Sequence, residues 1–392
     1  MTRQRRNIAL LATAQALLFT NNSTVIALNG LVGYALAPDK ALATVPVTGW
    51  VVGAALTTFF ASLLMQKFGR RAGFTLGAAV GIAGAVICST AIALGNFWLF
   101  VCGTTVFGVY NAFGQYYRFA AADVATPEFR SRAISYVLAG GLVGGIVGPN
   151  VSKFTRNLLP TDFLGAYLVL IAFLVLVIAV VRFLDIPKPP AAVQHEKGRP
   201  LVEIAAQPAF IVAVLAAAFG YGVMNLLMTA TPLAMGVCGH PYSAAANVIS
   251  WHVIGMFAPS FVTGALISRF GNLQVMMVGV VLNLFCVAIA LAGVDVANFW
   301  AALFVLGVGW NFLFVGATTL LTDTYEPAEK ARAQGLNDLL ILLTMATSSF
   351  TSGLLLEKNG WQTLNYLAIP FILAVGVAVL WLMGKRRLAL AA

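Results

Sequence analysis

Long apolar runs separated by short polar turns repeat along the whole chain. Each run is about the length an α-helix needs to cross a bilayer, roughly 20 residues at 1.5 Å each. The runs fall at about 7–36, 45–66, 73–94, 97–121, 132–156, 162–184, 207–236, 242–268, 273–294, 298–322, 331–356 and 361–384. They predict an all-α membrane protein of twelve transmembrane helices. One long polar interval, Ile186 to Ala206, separates the sixth run from the seventh, and its Pro187, Pro189, Pro190, Gly198 and Pro200 mark it as a cytosolic linker. The predicted domains are therefore a six-helix bundle over 1–185, the linker over 186–206 and a second six-helix bundle over 207–392.

Composition removes the soluble alternatives. Of 392 residues, 60% are hydrophobic and only 9% are charged, where a soluble domain carries about 25% charged residues. A mean hydropathy of +0.91 leaves no room for a large soluble domain, and no Walker loop, HExxH motif or Gly-rich dinucleotide turn after a strand signals soluble enzyme chemistry. The net charge of +10 would raise nucleic acid as a partner in a soluble protein, but here the placement of the charges reports topology. Arg3, Arg5 and Arg6 precede the first helix; Lys67, Arg70 and Arg71 follow the second; Arg130, Arg132, Arg182, Lys188, Lys197, Arg199, Arg269, Lys330, Arg332, Lys385, Arg386 and Arg387 continue on the same side. Only Lys40, Lys153, Arg156 and Lys358 fall on the other. By the positive-inside rule both termini are cytosolic, in a multi-pass membrane protein whose surroundings are lipid and not nucleic acid. The first run is too long for a signal-peptide core and reads as a retained helix. Cys88, Cys102, Cys238 and Cys286 are scattered and imply no disulfide framework or zinc site.

The halves repeat in sequence. Asn96-Phe97-Trp98 returns as Asn298-Phe299-Trp300, and Phe68-Gly69 returns as Phe270-Gly271. Asn111, Asp123, Pro127, Arg132 and Ala133 return as Asn311, Asp323, Pro327, Arg332 and Ala333. Same-sense repeats of six helices are an arrangement of secondary transporters. The loop Ser62-Leu63-Leu64-Met65-Gln66-Lys67-Phe68-Gly69-Arg70-Arg71 resembles the G-x-x-x-D-R-x-G-R-R loop of the major facilitator superfamily, with Ser62 for Gly and Gln66 for Asp. Its counterpart runs from Gly264 through Ser268, Arg269 and Gly271. The resemblance implies alternating access, with Lys67, Arg70, Arg71, Arg269, Asp123 and Asp323 as latches at the inner helix ends. It also implies a transporter with no permanent cofactor, expected as a monomer.

A candidate substrate constellation lies in the seventh and eighth runs. Met224 and Met228 are spaced i, i+4, and so are His252 and Met256, which puts each pair on one helix face. Read as an antiparallel hairpin turning near His240-Pro241, the two helices bring Met228 level with His252 and Met224 level with Met256, near mid-membrane. One imidazole and three thioethers suit a soft monovalent cation, Cu(I); the plainer alternative is that Met fills core gaps and His252 is a hydrogen-bonded core residue. Met235, Cys238 and His240 would form a capture site nearer the outer mouth. The paired motifs resemble those of the CcoA-like copper importers within the superfamily. That resemblance implies copper import for cytochrome oxidase assembly, with Met224, Met228, His252 and Met256 as ligands, the copper ion as cargo and copper chaperones as possible partners. The alternative is transport of riboflavin or another small organic molecule, for which Tyr110, Asn111, Gln115, Tyr116, Trp310 and Asn311 supply aromatic and amide groups. Proton-coupled drug export is a third reading, resting on Gly144-Ile146-Val147-Gly148-Pro149 and its partial likeness to an antiporter motif.

Charge inside the membrane is rare and seeks a partner. Arg118 lies five residues before Asp123, and Asp338 seven after Ala331, so counting from the helix ends gives them similar depth. The two are expected to pair as an inner gate.

Overall fold

The computed structural model describes residues 2–39, 42–43, 45–187 and 198–391. Lys40, and residues 188–197 of the predicted linker with Lys188 and Lys197, lie outside the described residues. Every regular element among the described residues is helical. In chain order they are α1 (Arg3–Leu36), α2 (Val45–Phe68), α3 (Arg70–Leu94), α4 (Phe97–Gly114), α5 (Tyr117–Val124), α6 (Arg130–Thr155) and α7 (Leu164–Arg182). After them come α8 (Leu201–Ala205), α9 (Pro208–Val237), α10 (Tyr242–Phe257), α11 (Ser260–Phe270), α12 (Asn272–Ala292), α13 (Val296–Leu321) and α14 (Lys330–Ala391).

Several of these are pieces of one membrane crossing. A turn at Gln115 and Tyr116 separates α4 from α5, and together they span Phe97–Val124. Ala258-Pro259 divides α10 from α11, because proline cannot donate to the helical ladder. In α14 the break is at Gly360, whose φ of 77° makes two crossings of one continuous element. Ten described helical spans are long and apolar enough to cross a membrane by length and composition. The first and eleventh predicted crossings, in α1 and the start of α14, fall outside that set. Their length suffices, but Asn7, Gln15, Asn21, Asn22 and Asn29 dilute the first, and Lys330, Arg332, Gln334, Asn337 and Asp338 the second. Polar residues so placed in a bundle point to function rather than lipid contact.

The helices gather into two compact units. One comprises Met1–Ala125, Gly140–Lys197 and Gln334–Leu339; the other comprises Thr126–Ala139, Gly198–Ala333 and Leu340–Ala392. In the first, α4 is central, packed against α2 and α3, while α1 lies on α5 and α7. In the second, α13 is central, packed against α9, α10 and α12. The repeat noted in the sequence is visible at Gly69 and Gly271, which have φ of 90° and 96° and start α3 and α12 with the same tight turn. A side chain bearing Cβ rarely adopts that backbone.

Candidate functional site

His252 decides how the seventh and eighth crossings are used. Its ring is fully buried, and Nδ1 lies 2.6 Å from the carbonyl oxygen of Leu303 on α13. A carbonyl can only accept, so Nδ1 carries the proton and the neutral ring keeps Nε2 as an acceptor, which has no hydrogen-bond partner. Close approach to α13 depends on Gly307: a Cβ there would lie 2.6 Å from the His252 carbonyl oxygen and 2.8 Å from the Met256 nitrogen. Thus α10 leans on α13, and its contact with α9 is slight. The level-by-level hairpin expected for Met224, Met228, His252 and Met256 assumes the opposite preference. Met224 and Met256 are buried and Met228 is half-buried. Among the described residues no group of three or more His, Cys, Asp or Glu stands in a metal-holding arrangement.

The residues expected to capture metal have separate environments. Met235 is fully buried in α9, and Cys238 is exposed. His240 Nε2 lies 2.7 Å from the Val294 carbonyl, and its ring meets the edge of Phe299 at 6.1 Å. His240 thereby ties the α9–α10 turn to the segment that leads into α13.

Aromatic and amide groups are more organised. Trp310 and Phe314, one turn apart on α13, stack with centroids 4.8 Å apart and planes 15° from parallel. Tyr221 of α9 stands edge-on to Trp310 at 5.3 Å, and Phe257 of α10 does so at 5.9 Å. The buried indole Nε1 of Trp310 donates to nothing. One turn beyond Tyr221, Asn225 Nδ2 donates to Ser348 Oγ at 3.0 Å, Ser349 Oγ at 2.6 Å and the Met345 carbonyl at 3.2 Å. Asn311 is fully engaged: its Oδ1 accepts from Thr263 at 2.7 Å, and its Nδ2 donates to the Met256 carbonyl at the α10–α11 break and to Ser260. An amide that satisfies a broken helix is structural before it is anything else.

The first unit holds a second amide group. Asn111 Oδ1 accepts from Asn22 Nδ2 at 2.7 Å and from Gln115 Nε2 at 3.2 Å. Asn21 Nδ2 reaches the Tyr110 hydroxyl at 3.5 Å, a long contact. Tyr116 is committed elsewhere, its hydroxyl donating to the Thr58 carbonyl at 2.7 Å. Asn21, Asn22 and Tyr221 were not legible as members of these groups, because their partners lie 89 residues away along the chain.

Charged groups of α3, α5 and α14 meet within the first unit. Arg118 Nη2 bonds Asp338 Oδ1, with both side chains buried, and the guanidinium lies 4.7 Å from the Phe119 ring centre. Asn337 Nδ2 donates to the same Asp338 oxygen at 2.8 Å. Arg70 donates to Asp123 at 3.0 Å through Nε and to Gln334 Oε1 at 2.6 Å through Nη2. Lys67, Arg71 and Arg269 are exposed, and the first and last lie over the rings of Phe68 and Phe270.

In the second unit, Arg130 and Asp323 approach to 3.7 Å, and burial raises the Asp323 pKa against the opposing pull of Arg130. Ser131 Oγ donates to the Gly264 carbonyl at 3.1 Å and lies 3.2 Å from Ser268 Oγ, while Ser135 Oγ bonds the Ser260 carbonyl. A Cβ on Gly264 would meet Arg132 Cα at 2.6 Å, so α6 and α11 touch through backbone there. Arg199 donates to both oxygens of Glu329, Nε at 2.8 Å and Nη2 at 2.6 Å, and its backbone nitrogen adds a third bond at 2.7 Å. Those bonds from Arg199 hold the Glu329 carboxyl down to about 2 from an ordinary 4.5.

Repeated halves built of membrane-length helices, ten of the described spans apolar enough to cross a bilayer, with amide, aromatic and ion-pair groups inside them, define a secondary transporter. The chain belongs to the major facilitator superfamily, whose family model matches residues 11–258 and 239–390. It is a multi-pass membrane transporter and not an enzyme. Among curated proteins it is 45% identical over 383 residues to the riboflavin transporter RfnT of Brucella anthropi, covering 97% of this chain and 96% of that one. It is 28% identical to the uncharacterised transporter YddS of Bacillus subtilis, covering 89% and 85%. Among solved structures it superposes on the Escherichia coli fucose:proton symporter FucP with a TM-score of 0.80 at 15% identity, covering 95% and 98%. The proton:xylose symporter XylE gives 0.77 at 15% identity, covering 96% and 95%.

The first of these relatives corrects the copper reading. Copper import, with the copper ion as cargo, chaperones as partners and oxidase assembly as purpose, has no support when a relative similar from end to end is named for riboflavin. The likeness to CcoA-type importers rested on two i, i+4 pairs, and His252 in those pairs is bonded to a neighbouring helix backbone.

Proposed function

We propose that the chain carries riboflavin, or a close flavin analogue, across the bacterial inner membrane by alternating access, as a monomer with both termini cytosolic. The observation that carries this reading is 45% identity, along nearly the full length of both chains, to a protein named as a riboflavin transporter. The aromatic group of Trp310, Phe314, Tyr221 and Phe257 supports it chemically. A flat, largely apolar tricyclic ring is held by stacking and edge contacts, and an unpaired indole N–H in the same group suits a ring carbonyl or nitrogen. Alternating access needs contacts that form in one state and part in the other. Arg118–Asp338 and the Arg70 group with Asp123 and Gln334 are the charged latch, and Ser131, Ser135, Gly264 and Ser268 are an uncharged one. Asp323 with Arg130 lies at the matching loop of the second half, and Lys67, Arg71 and Arg269 act as loop charges that hold topology. Cells that cannot make riboflavin and lack their own transporter test the reading. Expression of this chain should restore growth on micromolar riboflavin and give saturable uptake of labelled riboflavin, with labelled copper uptake unchanged. Copper uptake without flavin uptake would reject it.

A further inference from the structure

The amide group of the first unit has an unmet chemical demand. The side-chain oxygens of Asn21 and Asn22 are buried and accept no hydrogen bond, although both residues spend their N–H groups on the α4 helix, on Tyr110 and Asn111. Asn21 is fully buried and Asn22 nearly so. Two neighbouring acceptors left unsatisfied in a membrane interior are costly unless a donor comes to them. They lie at the middle of α1, and Tyr110 and Asn111 lie at the middle of the crossing formed by α4 and α5, the depth at which transporters hold cargo. The repeat sharpens the point. Asn311, the counterpart of Asn111, has both ends of its amide engaged in its own unit, whereas Asn111 shows bonds only at its oxygen.

We propose that Asn21, Asn22, Asn111 and Gln115 grip the polyhydroxylated side chain of the flavin. This rests on the flavin reading above and adds which end of the molecule these residues read. A hydroxyl chain offers several donors in a row, each able to accept as well, so it can satisfy adjacent carbonyl oxygens and still take bonds from the amide N–H groups. The imide edge of the flavin ring offers a single N–H flanked by two carbonyls; it could serve one asparagine oxygen and would set a carbonyl against the other. A phosphate is an acceptor with negative charge, so the group should refuse a phosphorylated flavin.

Binding to the purified full-length protein, followed by quenching of flavin fluorescence, tests this with three probes. They are riboflavin, lumiflavin (the same ring with a methyl group in place of the hydroxyl chain) and riboflavin 5′-phosphate. The wild-type protein should bind riboflavin at least about tenfold more tightly than the other two. Asn22→Ala and Asn111→Ala should each weaken riboflavin about tenfold or more while leaving lumiflavin within about twofold, which also shows that the variants are folded. Should either variant fail to bind lumiflavin, Asn111→Ser or Asn22→Ser, which keep a small polar group, takes its place under the same criterion. Equal loss of riboflavin and lumiflavin in the folded variants, or a wild-type protein that binds all three probes alike, overturns the proposal while leaving flavin transport standing. A wild-type protein that binds no flavin overturns the transport reading and this proposal with it.

Discussion

At the scale of single residues, Trp310 and the Arg118–Asp338 pair carry the most definite expectations. Trp310 stacks on Phe314 and meets Tyr221 and Phe257 edge-on. Aromatic pairs of this kind are worth about 0.5–1.5 kcal/mol each beyond the area they bury. Trp310→Ala should therefore raise the KM for riboflavin about tenfold, and Trp310→Phe should recover part of that loss, as read in an uptake assay at varied flavin concentration. Arg118 and Asp338 are buried together, and removing one partner from such a pair costs about 3–5 kcal/mol because the other is left as an isolated charge. Arg118→Ala and Asp338→Ala should each abolish transport, and the exchange Arg118→Asp with Asp338→Arg should restore a measurable rate if the pair acts as a latch. An exchange as inactive as the single changes would argue against that role. Depth counting along the sequence puts Arg118 and Asp338 at one level, and in the structure they touch. The same counting puts Met228 level with His252, yet His252 bonds Leu303, 51 residues further along. The difference lies in what each group needs. A buried charge requires an opposite charge, and few were on offer, whereas a histidine is satisfied by any carbonyl, and a methionine by any apolar neighbour.

Individual elements behave as their sequence breaks dictate. Gly360 divides α14 at the boundary expected between the eleventh and twelfth runs, whereas Pro259 breaks a run expected to be continuous, and the turn at Gln115-Tyr116 has no proline or glycine at its two turn residues to announce it. The apolar runs made the helices legible. They could not show that α10 prefers α13 to α9, because that choice depends on Gly307 meeting the backbone of His252 and Met256. Contact between α6 and α11 gives a direct test at this scale. Ser131 Oγ and Ser268 Oγ are 3.2 Å apart, so cysteines at the two positions would bring their sulfurs next to each other. In a cysteine-free background, Ser131→Cys with Ser268→Cys should cross-link on oxidation and lose transport, and a reductant should restore it. Cross-linking with full transport would show that the contact never needs to open. The anchor of α8 is pH-dependent with a defined sign. Glu329 has its pKa lowered by Arg199 to about 2, so its contribution is complete above about 4.5 and is lost as pH falls through about 2. Amide-exchange protection at Arg199, corrected for intrinsic rates, should therefore hold from pH 7 to about 4.5 and fall below it, and Glu329→Gln should lose it at pH 7.

For the whole molecule, fold and cargo were legible to different degrees. Helix-length runs, the repeated Asn-Phe-Trp and Phe-Gly segments and the loop through Gly69 come from using one six-helix pattern twice to span a bilayer, and they point to the superfamily that the family model matches. Cargo leaves no such period. It is written in side chains drawn from distant helices, such as Tyr221 with Trp310 or Asn22 with Asn111, which become neighbours only in the folded protein. Four soft side chains in two short motifs suggested copper, while the full-length relative named for riboflavin agrees with the aromatic and amide groups. The most direct test of flavin transport is counterflow in vesicles that contain only the purified protein and lipid. Vesicles loaded with millimolar riboflavin and diluted into a trace of labelled riboflavin should accumulate label transiently above equilibrium, and loading with copper should not substitute. No accumulation of labelled flavin by folded, correctly inserted protein, alongside exchange of labelled copper, would contradict the account.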